Sequence, residues 1–379
     1  MVPTFVTRRA LPDSPLWQGL AGKRTAIGFD LEATARCNLN CRHCYINLPA
    51  GDWEAQAREL SAAEIGRIGG EAAALGALWC LITGGEPLLR KDFFDVYLGL
   101  RKKGLLLSVY TNATLVGPEH VRFFKKYPPR DIEVTVYGVS RETYEGVTRV
   151  PGSYAAFRKG LGFLLEGGLR VRLKAMALRS NIREMAGIAE FCRSRTKDYF
   201  RFDPFLHCRF DRDAARNLEI ESERLSPEEI AALEEGDHER FGALKKNCDR
   251  LIVPELARSD CRHLFRCGAG RQTFAVGYDG NFRLCASLVH PDCLYDLREG
   301  SLADAWGRFV PEVLEWKSDR RDYLDKCGSC PIVNLCLWCP AHAYLETGQI
   351  DAPVDKFCQA ARAREKTLKK GFDKADGES

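Results

Sequence analysis

The sequence predicts an α/β fold in which six βα units build a parallel sheet and a smaller cysteine-rich region follows. Three observations carry this. Between residue 26 and about 208, short apolar runs alternate with longer amphipathic ones, the pattern of strands joined by crossover helices. From Cys261 onward the alternation stops. Of the sixteen cysteines in 379 residues, eight form a spaced series from Cys261 to Cys358.

Strands are expected at 26–34, 77–84, 105–112, 132–138, 171–178 and 199–208, each rich in β-branched, aromatic or aliphatic residues. Helices are expected at 61–76, where Ser61 and Glu64 form a capping box, and at 91–104 and 153–168. Six such units in series leave a barrel and a doubly wound sheet both open, and either collects ligands at the carboxyl ends of its strands. Residues 209–260 read as a charged, helix-prone connector, and the tail 374–379 as disordered.

Composition narrows the function. With 45% hydrophobic residues the chain can bury a large core, one main domain and one smaller. The net charge is only +4 and the basic clusters at 123–129 and 366–370 are short, which excludes nucleic acid as the main partner. No run approaches the ~18 apolar residues of a membrane span and the N-terminus lacks an apolar signal core, so a soluble, cytoplasmic protein is expected. In that compartment cysteines serve metals better than disulfides.

Cys37, Cys41 and Cys44 stand in a CxxxCxxC spacing directly after the first strand. A structural zinc site and a ferredoxin-type cube each take four protein ligands. Three thiolates leave one metal position open. The "GGEP" of Gly84, Gly85, Glu86 and Pro87 follows the second strand at the same sheet edge, and two glycines let backbone approach a neighbouring group closely. A partial zinc site for the triplet and a plain turn for "GGEP" are the structural alternatives.

Together these motifs resemble the radical S-adenosylmethionine superfamily. The resemblance implies a partial (β/α)6 TIM-like barrel and a [4Fe–4S] cluster on Cys37, Cys41 and Cys44. Its fourth iron would chelate the methionine amino and carboxylate groups of S-adenosyl-L-methionine, and reductive cleavage would yield a 5′-deoxyadenosyl radical that takes hydrogen from substrate. It further implies His43 near the adenine, Gly84 to Pro87 around the methionine amino group with Glu86 as its partner, Thr135 at the fourth strand, and Arg149 at the carboxylate.

The later cysteines, Cys261, Cys267, Cys285, Cys327, Cys330, Cys336, Cys339 and Cys358, are similar to the SPASM extension of radical enzymes. That resemblance implies two auxiliary [4Fe–4S] clusters, three in all: one on Cys261, Cys267, Cys285 and Cys339, the other on Cys327, Cys330, Cys336 and Cys358. In "CLWC" two residues stand where the family has three, shortening the reach of Cys339. The alternative is a zinc ribbon on Cys327, Cys330, Cys336 and Cys339. Cys80 and Cys192 read as small buried hydrophobes; Cys208, closing the sixth strand, is a candidate for substrate or cluster contact, and Cys248 and Cys293 are unassigned. The implied organisation is an extension at 1–25, the radical core at 26–208, the connector at 209–260, the SPASM domain at 261–358 and a C-terminal helix and tail at 359–379.

Within this resemblance the expected activity is modification of a ribosomally made peptide by a thioether or carbon–carbon crosslink. The sulfatase-maturing relatives carry an aspartate where Ala286 stands here, which lowers that subclass. The alternatives are a radical enzyme acting on a small biosynthetic molecule such as a haem precursor, and a non-catalytic iron–sulfur electron carrier. The expected partners are a flavodoxin or ferredoxin as reductant and, since only 36 residues precede Cys37, a separate small protein delivering the peptide's leader.

Overall fold

The computed structural model describes residues 23–254, 262–336 and 338–373. The expected strands appear as β1 (Gly28–Thr34), β2 (Trp79–Gly84), β3 (Leu106–Thr111), β4 (Asp131–Val136), β5 (Val171–Met176) and β6 (Arg201–Asp203). They lie side by side in chain order, every pair parallel. A doubly wound sheet would reverse direction at a switch point. Strict succession instead curls one way, and the α/β fold is a partial barrel.

β6 holds only three residues of the expected ten, because Pro204 has no N–H to continue the ladder. Alternation along each strand separates two faces. On β1, Phe29, Leu31 and Ala33 are buried in the outer core, with Ile65, Ile68 and Ala72 of α1 (Ala62–Ala74) in the same cluster. Asp30 and Glu32 occupy the opposite face, toward the lumen. The capping box forms as expected, with Ser61 N donating to Glu64 Oε2 at 2.7 Å and Glu64 N to Ser61 Oγ at 3.2 Å.

The cysteine-rich region is part of the same sheet. β7 (Thr273–Val276) pairs parallel with the free edge of β1, and β8 (Asn281–Arg283) and β9 (Tyr295–Asp296) extend it antiparallel, for nine strands in all. Their two to four residues are too short to show a periodicity.

Within its described residues the connector forms three longer helices, α2 (Ala214–Glu223), α3 (Pro227–Gly236) and α4 (His238–Lys246), and a short helical turn at Cys248–Leu251. α3 packs on the C-terminal helix α5 (Asp355–Asp373), where buried Glu234 accepts from Arg240 at 2.6 Å and Arg364 at 2.5 Å. That helix starts four residues before the expected boundary and so carries Cys358. The extension 1–22, the tail 374–379 and Cys261 lie outside the described residues.

Candidate active site

The thiol triplet sits in a loop that the fold pins at its base. Arg36–Cys37 pairs parallel with Leu48–Pro49, closing residues 38–47 into a hoop. Arg36 anchors that base through Glu59 at 2.7 Å. Three more guanidiniums hold the hoop by its carbonyls: Arg149 donates to Asn40 O at 2.8 Å, Arg216 to Cys41 O at 3.0 Å, and Arg209 to Asn47 O at 3.2 Å. Leu39 N and Asn47 N point at Cys37 Sγ and Cys44 Sγ, both at 3.4 Å. Such donors and nearby positive charge favour thiolates that carry iron.

Burial pushes the Cys37 thiol up to about 12 and raises Cys41 and Cys44 as well, so metal must displace the protons. Arg209, Arg216 and Asn112 were not anticipated. The arginine-rich run after the sixth strand was the only trace of the two arginines in the sequence.

Gly84 and Gly85 also lie close against protein backbone. Gly85 N donates to Thr34 O at 2.7 Å and Glu86 N to Arg36 O at 2.9 Å. A Cβ on Gly85 would come within 2.6 Å of Ala35 O and closer still to Arg36 O, while Gly84 takes φ +126° against the Thr34 backbone. The two glycines thus let the β2 loop lie flat on the root of the thiol hoop.

Glu86 is fully buried. Its Oε1 accepts from Leu88 N at 3.0 Å and Thr111 Oγ1 at 2.9 Å, its Oε2 from Asn112 N at 2.7 Å. Asn112 Nδ2 in turn reaches Asn38 Oδ1 at 2.9 Å and Cys37 Sγ at 3.8 Å. Burial pushes the Glu86 carboxyl up to about 7 against the pull of those donors.

A cavity of about 290 Å³ opens beside the triplet, lined by Cys37, Cys41, Cys44, His43, Gly84, Gly85 and Thr135 among others. His43 lies 5.1 Å from the Tyr137 ring, its Nδ1 buried without a partner, and burial holds its imidazole down to about 4. Tyr110, Glu133 and Lys174 line the same space, with Lys174 Nζ 2.5 Å from Glu133 and 3.9 Å from the Tyr110 ring centroid. Glu86, Pro87 and Arg149 do not line it. Arg149 is engaged by Glu219 at 2.7 Å and 2.9 Å, and Pro87 opens the short 3₁₀ turn after Glu86. Three thiols that feel one another's charge beside an open cavity fit a cube with one free iron.

The second constellation separates into two groups. Cys285 interacts with Cys339 and Cys267. Cys327 interacts with Cys358 and Cys330, and Cys336 with Cys358 and Cys327. A zinc ribbon would have gathered Cys339 with Cys327, Cys330 and Cys336; Cys339 instead caps the helix α6 (Pro340–Thr347) beside Cys285. Among the described residues no three or more His, Cys, Asp or Glu side chains converge on a single metal ion.

Cys80, Cys192 and Cys293 are buried in the main core and Cys248 in a smaller one. Cys208 accepts from Arg224 at 3.5 Å, beside Glu346.

Residues 31–192, which carry the sheet-edge thiol triplet and much of the wall of its cavity, match the model of the radical SAM superfamily. That segment is a radical SAM domain, and the fold of the chain is shared with the solved structures described below. The chain is similar to the AdoMet-dependent heme synthase of Methanosarcina barkeri, 25% identical over 338 residues that cover 84% of this chain and 92% of that one. It is also similar to the subtilosin biosynthesis protein AlbA of Bacillus subtilis, 23% identical over 81% of this chain and 66% of that one. Two solved structures share its fold: Streptococcus suis SuiB with S-adenosylmethionine (TM-score 0.63, 14% identity, 90% of this chain and 77% of that one) and anSMEcpe with AdoMet (TM-score 0.64, 12% identity, 93% and 96%). Among the described residues no helix is long and apolar enough to cross a membrane.

Proposed function

We propose that this enzyme modifies a peptide, forming a crosslink after hydrogen abstraction from a side chain or α-carbon. One observation carries the choice over a haem precursor: the lumen has no cationic excess. A cavity on the β1 side of the lumen is lined by the carboxylates Glu32, Asp211 and Asp279 against the guanidiniums Arg58 and Arg283. The cavity beside the triplet adds Glu133 and Asp203 against Lys174. A porphyrin bearing several carboxylates would meet net repulsion there; a neutral or cationic peptide would not. The haem-precursor reading is the second one, supported by the likeness to the heme synthases.

When bound, the first cluster and S-adenosylmethionine supply one-electron cleavage of the sulfonium and the hydrogen-abstracting radical. Cys37, Cys41 and Cys44 hold that cluster; His43, Gly84, Gly85 and Thr135 shape the cofactor's cavity, and Glu86 with Asn112 fixes the loop that carries Cys37. In this reading Cys267, Cys285 and Cys339, with Cys261, hold one auxiliary cluster, and Cys327, Cys330, Cys336 and Cys358 the other. A flavodoxin or ferredoxin reduces the enzyme, and a separate small protein delivers the leader of the peptide.

The test is anaerobic incubation of reduced, iron-loaded enzyme with S-adenosylmethionine and a peptide encoded beside it. Loss of two hydrogens from the peptide, with 5′-deoxyadenosine formed alongside, supports the reading. Turnover of a porphyrin carboxylate and of no peptide overturns it.

A further inference from the structure

The cavity on the β1 side, about 340 Å³, adjoins the one beside the thiol triplet, since Tyr45 and Ile46 line both. Glu32 of β1 and Arg283 of β8 both line it as a direct ion pair, 2% and 4% exposed. Arg283 Nη2 pairs with Glu32 Oε2, and Arg283 Nη1 donates to Ala286 O at 2.9 Å, one residue beyond Cys285. This pairing leaves Glu32 Oε1 and Arg283 Nε both buried and both without a partner. Most buried polar atoms in native folds have a partner, and each exception asks for a reason. Here one acceptor and one donor of the same ion pair are both left over.

We propose that Glu32 and Arg283 form a subsite for the primary carboxamide of an Asn or Gln side chain in the substrate, with the amide N–H on Glu32 Oε1 and the amide oxygen on Arg283 Nε. The inference rests on the peptide reading above and names what the peptide brings to this cavity. A primary amide presents an N–H and its C=O on one edge. A trans backbone amide points them in opposite directions and cannot satisfy both atoms. A carboxylate would suit Arg283 but repel Glu32, and an ammonium the reverse. The walls suit a flat planar group: the Phe210 ring lies 5.3 Å from the Arg283 guanidinium and 4.7 Å from the Tyr45 ring. Because Arg283 also ties down the turn after Cys285, a carboxamide held here lies between the two cysteine regions.

The test uses iron-loaded, unreduced enzyme with S-adenosylmethionine and four radiolabelled probes, N-acetyl-Gly-Xaa-Gly N-methylamides with Xaa Gln, Asn, Leu or Glu, in equilibrium dialysis. A Gln or Asn probe is expected to bind roughly 10- to 100-fold tighter than Leu or Glu, and Glu32→Met or Arg283→Met to erase that preference. Removing one partner strands a buried charge, so the double variant Glu32→Met/Arg283→Met is measured as well, with iron content as the folding check. Equal binding of the Gln and Leu probes, or tightest binding of Glu, overturns the subsite and leaves the peptide reading standing. Failure of every probe together with tight binding of a porphyrin tetracarboxylate overturns both.

Discussion

Replacing Glu86 with alanine tests whether this carboxylate acts on the loop or on the cofactor. The substitution strips the acceptor from three donors, Leu88 N, Thr111 Oγ1 and Asn112 N, at a position with no solvent access. A buried donor left unpaired costs about 1–3 kcal/mol, and three of them roughly 5 kcal/mol. Part is returned, because burial pushes the Glu86 carboxyl up to about 7 and the variant no longer buries it. The net expected loss is about 2–4 kcal/mol, read as a fall of roughly 3–5 °C in the melting temperature. Asn112 should loosen with it, and Asn112 is the side chain that reaches Cys37 Sγ at 3.8 Å. Iron bound by the triplet should therefore fall in parallel, measured in protein whose later cysteines are intact. A Glu86→Ala enzyme that melts normally and keeps its iron, yet no longer binds S-adenosylmethionine, would refute this reasoning and return Glu86 to the methionine amino group.

Gly85→Ala places a Cβ within 2.6 Å of Ala35 O, backbone that cannot yield, so cluster uptake by the triplet should be lost where the surface change Gly51→Ala has no effect on iron content. Fully reconstituted enzyme should hold close to twelve irons as three cubes, and the triple Cys37/Cys41/Cys44→Ala variant about eight; zinc at the later cysteines in place of iron would sink the auxiliary assignment. Burial, then His342 and Arg224, hold the His207 imidazole down to about 3. A depressed histidine adds stability that is complete above its unfolded value near 6.5 and drains away as pH falls toward 3. Between pH 6.5 and 4.5 the wild type should lose roughly 2–3 kcal/mol more than His207→Phe in urea titrations. Parallel curves for the two proteins would show that His207 already binds its proton in the fold.

Local chemistry was enough to read much of this molecule. The six core strands stand where apolar runs alternate with amphipathic ones, since period and turn residues are local properties. The Ser61–Glu64 capping box is likewise complete within four residues. The triplet and "GGEP" were legible because both lie in loops right after strands, so their spacing alone places them at one edge of the sheet.

Other properties were decided only by contacts between residues far apart in the chain. The succession of strands that chose a barrel over a doubly wound sheet depends on pairing across whole crossovers, and the extension through β7, β8 and β9 rests on strands too short to have a period. Glu86 meets Asn112, Arg149 meets Glu219 and Cys339 meets Cys285, and no local rule links those positions. The buried pair of Glu32 and Arg283, 251 residues apart, exists because β8 continues the sheet beyond β1. Sequence spacing sets which side chains a strand or loop presents; the sheet order sets what they face, because desolvation and hydrogen bonding act across space and not along the chain.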